Sequence, residues 1–337
     1  MGNVGEEIRE YTARAGKNYA FNVTHDERVP AQMWFQESDE GLILFVVFYT
    51  LACRWSRCLG CSLPSKMSLA PVSYKSLIAQ VDAVFSDHAV LERSASIRKV
   101  IVSNNGSVLD QVTFSSTALI YLLAQVNLHL PNLAVLSIET RPEYVEIAEL
   151  DFIARALAEG ETPTQLELAV GFEAFDDRIR NEAYHKGLEL ATFEKLARDM
   201  APYRYRLKCY FMQKPVPGMT DEEAVKDIQN GIDYLSRKAA QHGISINMHL
   251  CPTYVASGTM LEDAFLKGEY TPPRLEDVAR AALHARGKGV SIYIATFDEG
   301  LAVDGGSFVR PSDTTLIEEL ERFNRTQDFD ILEELLS

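Results

Sequence analysis

The chain has 337 residues, of which 47% are hydrophobic, and a formal net charge of -15. This length and apolar content are sufficient for one large α/β domain, and no apolar run approaches the roughly 20 residues that cross a bilayer. The acidic balance argues against a protein whose affinity comes mainly from neutralising phosphates along bulk nucleic acid. The N-terminus lacks the basic and then apolar regions of a secretory signal, so we expect a cytoplasmic protein without a membrane partner.

Apolar, β-branched runs alternate with helical patterns along most of the chain. The runs predict strands, in chain order, at residues 42–49, 98–103, 133–139, 166–172, 206–212, 244–250 and 290–296. The apolar spacing between them predicts helices at residues 74–85, 116–128, 144–158, 190–200, 222–240 and 275–287. Each unit is long enough for a right-handed parallel crossover. The fold class is therefore predicted to be α/β with a parallel sheet, either a barrel or doubly wound.

Both ends of the chain are predicted to lie outside this repeating core. Residues 1–40 read as an N-terminal extension, residues 41–300 as the core domain and residues 301–337 as a helical tail. The last 27 residues contain eight Asp or Glu and two Arg. Because their apolar residues follow helical spacing, we predict acidic amphipathic helices that pack on the core.

Three cysteines stand close together directly after the first predicted strand. Four residues separate Cys53 from Cys58, and two separate Cys58 from Cys61. A disulfide is disfavoured in a reducing cytosol, so the spacing favours metal binding. Three thiolates can hold a four-iron cluster and leave one iron open to a substrate or cofactor.

The alternative for these cysteines is a structural zinc site in a binding or regulatory protein without catalytic turnover. Zinc needs a fourth ligand, for which the candidates are Cys209, Cys251 and His249. Structural zinc sites usually show two ligand pairs of the Cys-x2-Cys kind, and the sequence contains one.

The cysteine loop and the βα units after it resemble the radical S-adenosylmethionine (radical SAM) superfamily over residues 41–300. The usual spacing in that superfamily is Cys-x3-Cys-x2-Cys, so the first gap here is one residue longer. Gly60 also stands where many members carry an aromatic residue. The resemblance implies a partial (β/α) barrel, a 4Fe-4S cluster on Cys53, Cys58 and Cys61, and S-adenosyl-L-methionine (SAM) as cofactor.

Two further strand ends fit this superfamily. The resemblance implies that Asn105, Gly106 and Ser107 hold the methionyl amino group, although alone they would read as a polar turn. The third strand ends in Glu139-Thr-Arg141-Pro-Glu143, which is similar to a signature of the Elongator-catalytic-subunit, archaeosine-forming and MiaB-like branch. Glu139 and Arg141 would then bind the zwitterionic cofactor, and a simple ion pair between them is the alternative.

Residues Glu173 and Lys186 match cofactor-binding positions of the same branch. Lys186 could instead be a solvated cation at a helix C-terminus before Gly187. Asn247 and His249 alternate onto one strand face, where a hydrogen-bonded core histidine is the alternative to a catalytic one.

The resemblance implies an enzyme in which the reduced cluster cleaves SAM to a 5'-deoxyadenosyl radical, which then abstracts hydrogen from a substrate. An electron donor of the flavodoxin or ferredoxin type is expected as a partner. The branch points to tRNA modification of the archaeosine type. Because the chain is acidic, we prefer a small-molecule or peptide substrate over tRNA.

Overall fold

The computed structural model describes residues 4–337, which form an α/β fold around a sheet of eight strands. The strands are β1 (Gln32–Ser38), β2 (Gly41–Val47), β3 (Ile97–Ser103), β4 (Val135–Glu139), β5 (Gln165–Glu173), β6 (Arg206–Gln213), β7 (Ile246–Pro252) and β8 (Ser291–Ile294). Strand order in the sheet follows chain order. The seven predicted strands and the partial (β/α) barrel class are confirmed. Strand β1 was not predicted.

Helices connect the strands and extend the chain at both ends. They are α1 (Val4–Arg14), α2 (Tyr74–Ser86), α3 (His88–Arg93), α4 (Ser116–His129), α5 (Ile147–Leu157), α6 (Leu190–Met200), α7 (Asp221–His242), α8 (Met260–Leu266), α9 (Leu275–Leu283), α10 (Thr314–Thr326) and α11 (Phe329–Leu335). The sequence did not predict α1, α3 and α8. Within residues 4–337, no helix combines the length and the apolar character that a bilayer-spanning helix needs.

Contacts divide the chain into two compact units. Unit 1 comprises Met1–Tyr11, Ala20–Ser56 and Leu63–Val170, with its first three residues outside the described part. Unit 2 comprises Thr12–Tyr19, Arg57–Ser62 and Gly171–Ser337. The sequence-based division at residues 40 and 300 stays a prediction.

In unit 1, β1 pairs antiparallel with β2, and the next strand pairs are parallel. Strands β2 and β3 are buried on both faces, as expected of parallel strands covered by helices. Their carboxyl ends lead into the loops that carry Cys53 and Gly106. The parallel sheet thereby brings both loops to one edge.

In unit 2, β6, β7 and β8 form parallel pairs whose register places side chains in layers. Helix α7 covers β6 and begins at a capping box formed by Thr220 and Glu223. Helix α9 ends at Leu283, four residues earlier than predicted, and a turn with a left-handed Gly287 follows it.

Candidate active site

The three clustered cysteines are half-buried thiols on the loop that follows β2. The structure contains no disulfide among the five cysteines, and Cys209 is buried in β6. Within residues 4–337, no three metal-ligating side chains already converge in the geometry of a metal site. The assignment of a metal to Cys53, Cys58 and Cys61 therefore depends on their spacing and on the residues around them.

In unit 1, the loop after β3 lies against Cys53. A Cβ atom added at Gly106 would lie 3.3 Å from Cys53 Cα and 3.5 Å from Cys53 Cβ. The preceding residue, Asn105, has a left-handed backbone with φ of 53°, a conformation that Asn tolerates better than most residues. The structure thus brings the predicted Gly106 loop and the first cysteine together. The glycine is needed there because a side chain would press on the cysteine backbone.

The same loop is tied to the end of β4. The backbone N–H of Arg141 donates to the Ser107 hydroxyl at 3.1 Å, and the N–H of Val108 donates to the Glu139 carbonyl at 2.9 Å. These bonds bring the predicted residues Ser107, Glu139 and Arg141 into one region of unit 1.

The Arg141 side chain contacts an aromatic residue that the sequence analysis did not single out. Its guanidinium carbon lies 4.5 Å from the ring centroid of Trp55, and its Nε donates to the Glu143 carboxylate. Only 8% of the Arg141 side chain is exposed. A cation that is shielded from water in this way interacts more strongly with an aromatic face than an exposed one does. Trp55 could have been noticed as the one aromatic residue between two cysteines.

Arg54 and Ser56, on either side of Trp55, are also fixed. Arg54 Nη1 lies 3.1 Å from both carboxylate oxygens of Asp110, which is 3% exposed. Burial alone would lower the pKa of Arg54, but the Asp110 carboxylate raises it above its usual value. Ser56 has a left-handed φ of 45°, and its hydroxyl donates to the Cys53 carbonyl. The turn from Cys53 to Ser56 is closed by protein contacts alone.

In unit 2, Glu173 and Lys186 form an ion pair, with Lys186 Nζ 2.7 Å from Glu173 Oε1. Their side chains are 12% and 11% exposed, so Lys186 is not a solvated surface cation. A Cβ atom at Gly171 would overlap both charged groups, so the glycine leaves room for the pair. Glu173 itself has a φ of 72°, which is costly for a residue with a side chain.

The segment between Glu173 and Lys186 is held by a fully buried arginine. Arg180 lies in the π-helical turn Arg178–Ala183, and its guanidinium donates to the carbonyls of Leu188, Ala174 and Phe175 at 2.8 to 3.0 Å. Sequence periodicity does not show such a turn, because its hydrogen bonds follow a rarer spacing.

Tyr184, directly after this turn, contacts the second part of the cysteine loop. Its carbonyl accepts from the Leu59 N–H at 2.9 Å, and Tyr184 belongs to a buried apolar cluster against which Cys58 and Leu59 pack. Burial raises the pKa of Tyr184 well above its ordinary value, with smaller contributions from Glu173, Cys58 and Cys61. A Cβ atom at Gly60 would lie 3.3 Å from Leu261 Cδ2, so little room exists for an aromatic side chain at this position.

The strands β6 to β8 carry polar and aromatic layers on one face. Asn247 Oδ1 accepts from Lys208 Nζ at 2.9 Å. The His249 ring lies 4.8 Å from the Tyr210 ring and 4.6 Å from the Tyr293 ring. The predicted common face of Asn247 and His249 agrees with this register, and His249 is a buried residue between two tyrosines.

Known proteins are similar to the chain over most of its length, whereas no family model matches it. An uncharacterized protein of Methanocaldococcus jannaschii is 24% identical over 318 residues, 91% of this chain and 84% of that protein. Archaeosine synthase subunit beta of Methanosarcina acetivorans is 27% identical over 248 residues, 72% of this chain. The match covers 66% of that relative, just under two thirds of its length.

A solved structure of a spore photoproduct lyase mutant with a dinucleoside spore photoproduct has a TM-score of 0.50 at 13% identity. The match covers 87% of this chain and 95% of that chain, and it shows the shared fold. The resemblance to the radical SAM superfamily is confirmed. The archaeosine synthase match agrees with the branch that the Glu139-Thr-Arg141 motif indicated.

Proposed function

We propose that the chain is a radical SAM enzyme in which Cys53, Cys58 and Cys61 hold a 4Fe-4S cluster. The observation that carries this proposal is the close approach of the Gly106 backbone to Cys53, where an added Cβ atom would lie 3.3 Å from the cysteine Cα. Glycine at this point leaves backbone amides and carbonyls accessible beside a metal-binding thiol. A purely structural metal site would not require a second strand-end loop to be open in this way.

The shielded ion pair of unit 2 fits the charges of a zwitterionic cofactor. SAM carries an amino group and a carboxylate, and unit 2 offers a carboxylate and an ammonium in the shielded Glu173 and Lys186 pair. Charge-assisted hydrogen bonds are strongest where water is scarce. We assign Glu173 to the ribose or amino group and Lys186 to the carboxylate, with Asn105, Gly106, Ser107 and Glu139 as the binding residues of unit 1.

When bound, such a cluster supplies one electron that cleaves SAM to a 5'-deoxyadenosyl radical able to remove hydrogen from a substrate. The residues of the chain bind, orient and shield the reactants. The buried Arg180 holds the Lys186 segment rigid, and Tyr184 holds Leu59 beside Cys58. An electron donor of the flavodoxin or ferredoxin type stays a prediction.

The test of this function is anaerobic reconstitution followed by cofactor cleavage. We expect about four irons and four sulfides per chain, and slow formation of 5'-deoxyadenosine with dithionite even without substrate. Stoichiometric zinc and no cluster after reconstitution would instead support the non-catalytic metal protein.

For the substrate, two observations now favour RNA over a small molecule or peptide. One relative is named archaeosine synthase subunit beta, which is consistent with action on a tRNA nucleoside. The other is local charge: residues 41–81 contain no Asp or Glu, and besides Arg54, which pairs with Asp110, they contain Arg57, Lys66 and Lys75. This basic stretch of sequence contains the cysteine loop, and it weakens the argument against RNA that the acidic net charge provides. We therefore propose a tRNA nucleoside as substrate, with a small molecule or peptide as the second candidate.

Binding of tRNA at several salt concentrations separates the two candidates. Each phosphate contact should add about one unit to the salt slope of binding, so Lys66→Ala with Lys75→Ala should reduce that slope, whereas the exposed Lys267→Ala should not. Binding no tighter than the roughly 10⁻⁴ to 10⁻⁶ M of non-specific contact would favour the small molecule or peptide.

A further inference from the structure

The first part of the cysteine loop, Cys53 to Ser56, is folded by contacts that involve no metal. The Ser56 hydroxyl bonds to the Cys53 carbonyl, and Arg54 is paired with the buried Asp110. The Gly106 backbone packs on Cys53 from one side. Three of these four residues are therefore fixed by neighbours, and the fourth is Trp55.

Trp55 is fixed by Arg141. The guanidinium carbon lies 4.5 Å from the indole centroid, and Glu143 and the Ser107 hydroxyl hold the arginine at its side chain and its backbone. The planar guanidinium stacks on an aromatic face in a way that an ammonium does not reproduce. Arg141 thus connects the end of β4 and the Gly106 loop to the residue two positions after Cys53.

We propose that Arg141 and Trp55 form a positioning pair that sets the place of the Cys53 thiol. Within the first gap of the cysteine motif, the Ser56 hydroxyl closes a turn onto the Cys53 carbonyl, and the contact of Trp55 with Arg141 holds that turn. The assignment of the metal as a 4Fe-4S cluster rests on the proposed function, whereas the pairing itself does not. Arg141 then acts through Trp55 on the cysteine loop, and its expected contact with the cofactor is a separate role.

One experiment tests the pair without metal. Trp34 and Trp55 are the two tryptophans of the chain, and Trp34 stacks on Phe45 in unit 1. In a Trp34→Phe background, emission therefore reports Trp55 alone. Arg141→Ala should increase quenching of this emission by acrylamide about twofold in the metal-free protein, because a released indole samples solvent on a fast timescale. Unchanged quenching overturns the proposal.

A second experiment measures the rate of iron loss from the cysteine loop in a double-mutant cycle. Trp55→Ala and Arg141→Ala should each speed anaerobic loss of iron to a chelator by about tenfold, and the double variant should be no faster than either, because the two residues act as one unit. Trp55→Phe should retain most of the wild-type rate. The electron paramagnetic resonance signal of the reduced cluster should shift in Trp55→Ala, a change that a general loss of stability would not produce.

A matched control is available in unit 1, where Arg93 lies 5.1 Å from the ring centroid of Phe35. Removing that pair by Arg93→Ala should leave iron loss unchanged. Additive effects of Trp55→Ala and Arg141→Ala, or a wild-type rate in Trp55→Ala, would overturn the proposal. If the unsubstituted protein binds no iron, the proposed function fails, and the quenching experiment still decides whether the pair exists.

Discussion

The two compact units hold their candidate site residues by different physical means. In unit 1, Cys53 is fixed by neighbouring loops, chiefly through the glycine contact and backbone hydrogen bonds around Ser107. In unit 2, the central feature is the shielded ion pair of Glu173 with Lys186. Glu173 is the last residue of β5, and its backbone has a left-handed conformation. The candidate site residues of unit 1 are thus positioned by close contacts between backbone segments, whereas those of unit 2 are positioned by a shielded ion pair and a strained backbone.

Backbone strain is concentrated near the strand ends that carry the site. Among the described residues, eight non-glycine residues have a positive φ. Four of them lie in the cysteine loop or within two residues of the ends of β3, β5 and β6: Ser56, Asn105, Glu173 and Lys214. Such conformations cost about 1–3 kcal/mol each and persist where the surrounding structure enforces them. Their position supports a functional role for these strand ends.

The largest expected effect is the loss of the metal. Replacing Cys53, Cys58 or Cys61 by Ala should abolish the iron–sulfur absorbance of reconstituted protein, because each thiolate binds one of the three irons that have a protein ligand. Cys209→Ala and Cys251→Ala are the controls and should retain it. Equal iron content in Cys53→Ala and Cys209→Ala would break the assignment.

The next effect concerns charge in unit 2. Glu173→Ala should weaken SAM binding by about 1.5–3 kcal/mol, the typical value of a hydrogen bond to a charged group. Equilibrium dialysis with reconstituted protein measures it. Wild-type affinity in this variant would show that the shielded pair serves only the fold.

A second substitution at the same position separates strain from charge. Glu173→Gly removes the same carboxylate as Glu173→Ala but accepts a φ of 72° without a steric penalty. We expect Glu173→Gly to unfold at higher denaturant than Glu173→Ala, by about 1 kcal/mol, and to bind SAM equally weakly. The reverse stability order would argue against strain at this strand end.

In unit 1, the sequence predicted which strand ends lie side by side. The glycine loop and the Glu139-Thr-Arg141 motif stand at strand ends that apolar runs mark clearly, so parallel pairing alone places them together. The role of Trp55 could not be predicted, because its contact with Arg141 joins residues far apart in sequence. Strand β1 was missed for another reason: it pairs antiparallel with β2, and most of its residues are only half-buried, so it lacks the continuous apolar run of the parallel strands.

In unit 2, the strands and most helices were predictable, but the π-helical turn at Arg178–Ala183 was not. The buried Arg180 looks like any charged helix residue in sequence, yet it is 0% exposed and bonded to backbone carbonyls. The sequence also could not predict the positive φ of Glu173, because Glu is not among the residue types that favour a left-handed backbone.

The close contact between Gly106 and Cys53 in unit 1 predicts an effect of intermediate size on the free energy of unfolding. Gly106→Ala places a methyl group 3.3 Å from Cys53 Cα, so one of the two loops must shift. Such overpacking should reduce the free energy of unfolding by about 1–3 kcal/mol, measured by urea denaturation. The neighbouring Asn105→Gly should be close to neutral, since glycine accepts the left-handed backbone. If both variants matched the wild type, the contact would not constrain the loop.

The smallest expected effect is a pH dependence in unit 2. Asp227 of α7 accepts hydrogen bonds from the backbone N–H of Phe175 at 2.9 Å and of Asp176 at 2.7 Å, directly after the Glu173 strand end. Burial raises the pKa of Asp227, opposed by these two amides, and nearby Asp176 adds to the rise while Arg180 opposes it. A raised pKa means that the folded protein binds the proton more tightly than the unfolded chain does.

Asp227 therefore contributes stability below its unfolded pKa of about 3.9, and this contribution is lost as pH rises through the higher folded value. Asp227→Asn cannot titrate, and it keeps one amide acceptor while placing an NH₂ donor against the other backbone N–H. The stability of the wild type relative to Asp227→Asn should consequently fall as pH rises from about 4 toward neutrality. Urea denaturation at several pH values measures this difference. A difference that stays constant, or that grows in favour of the wild type with rising pH, would mean that the amides of Phe175 and Asp176 outweigh burial at this carboxylate.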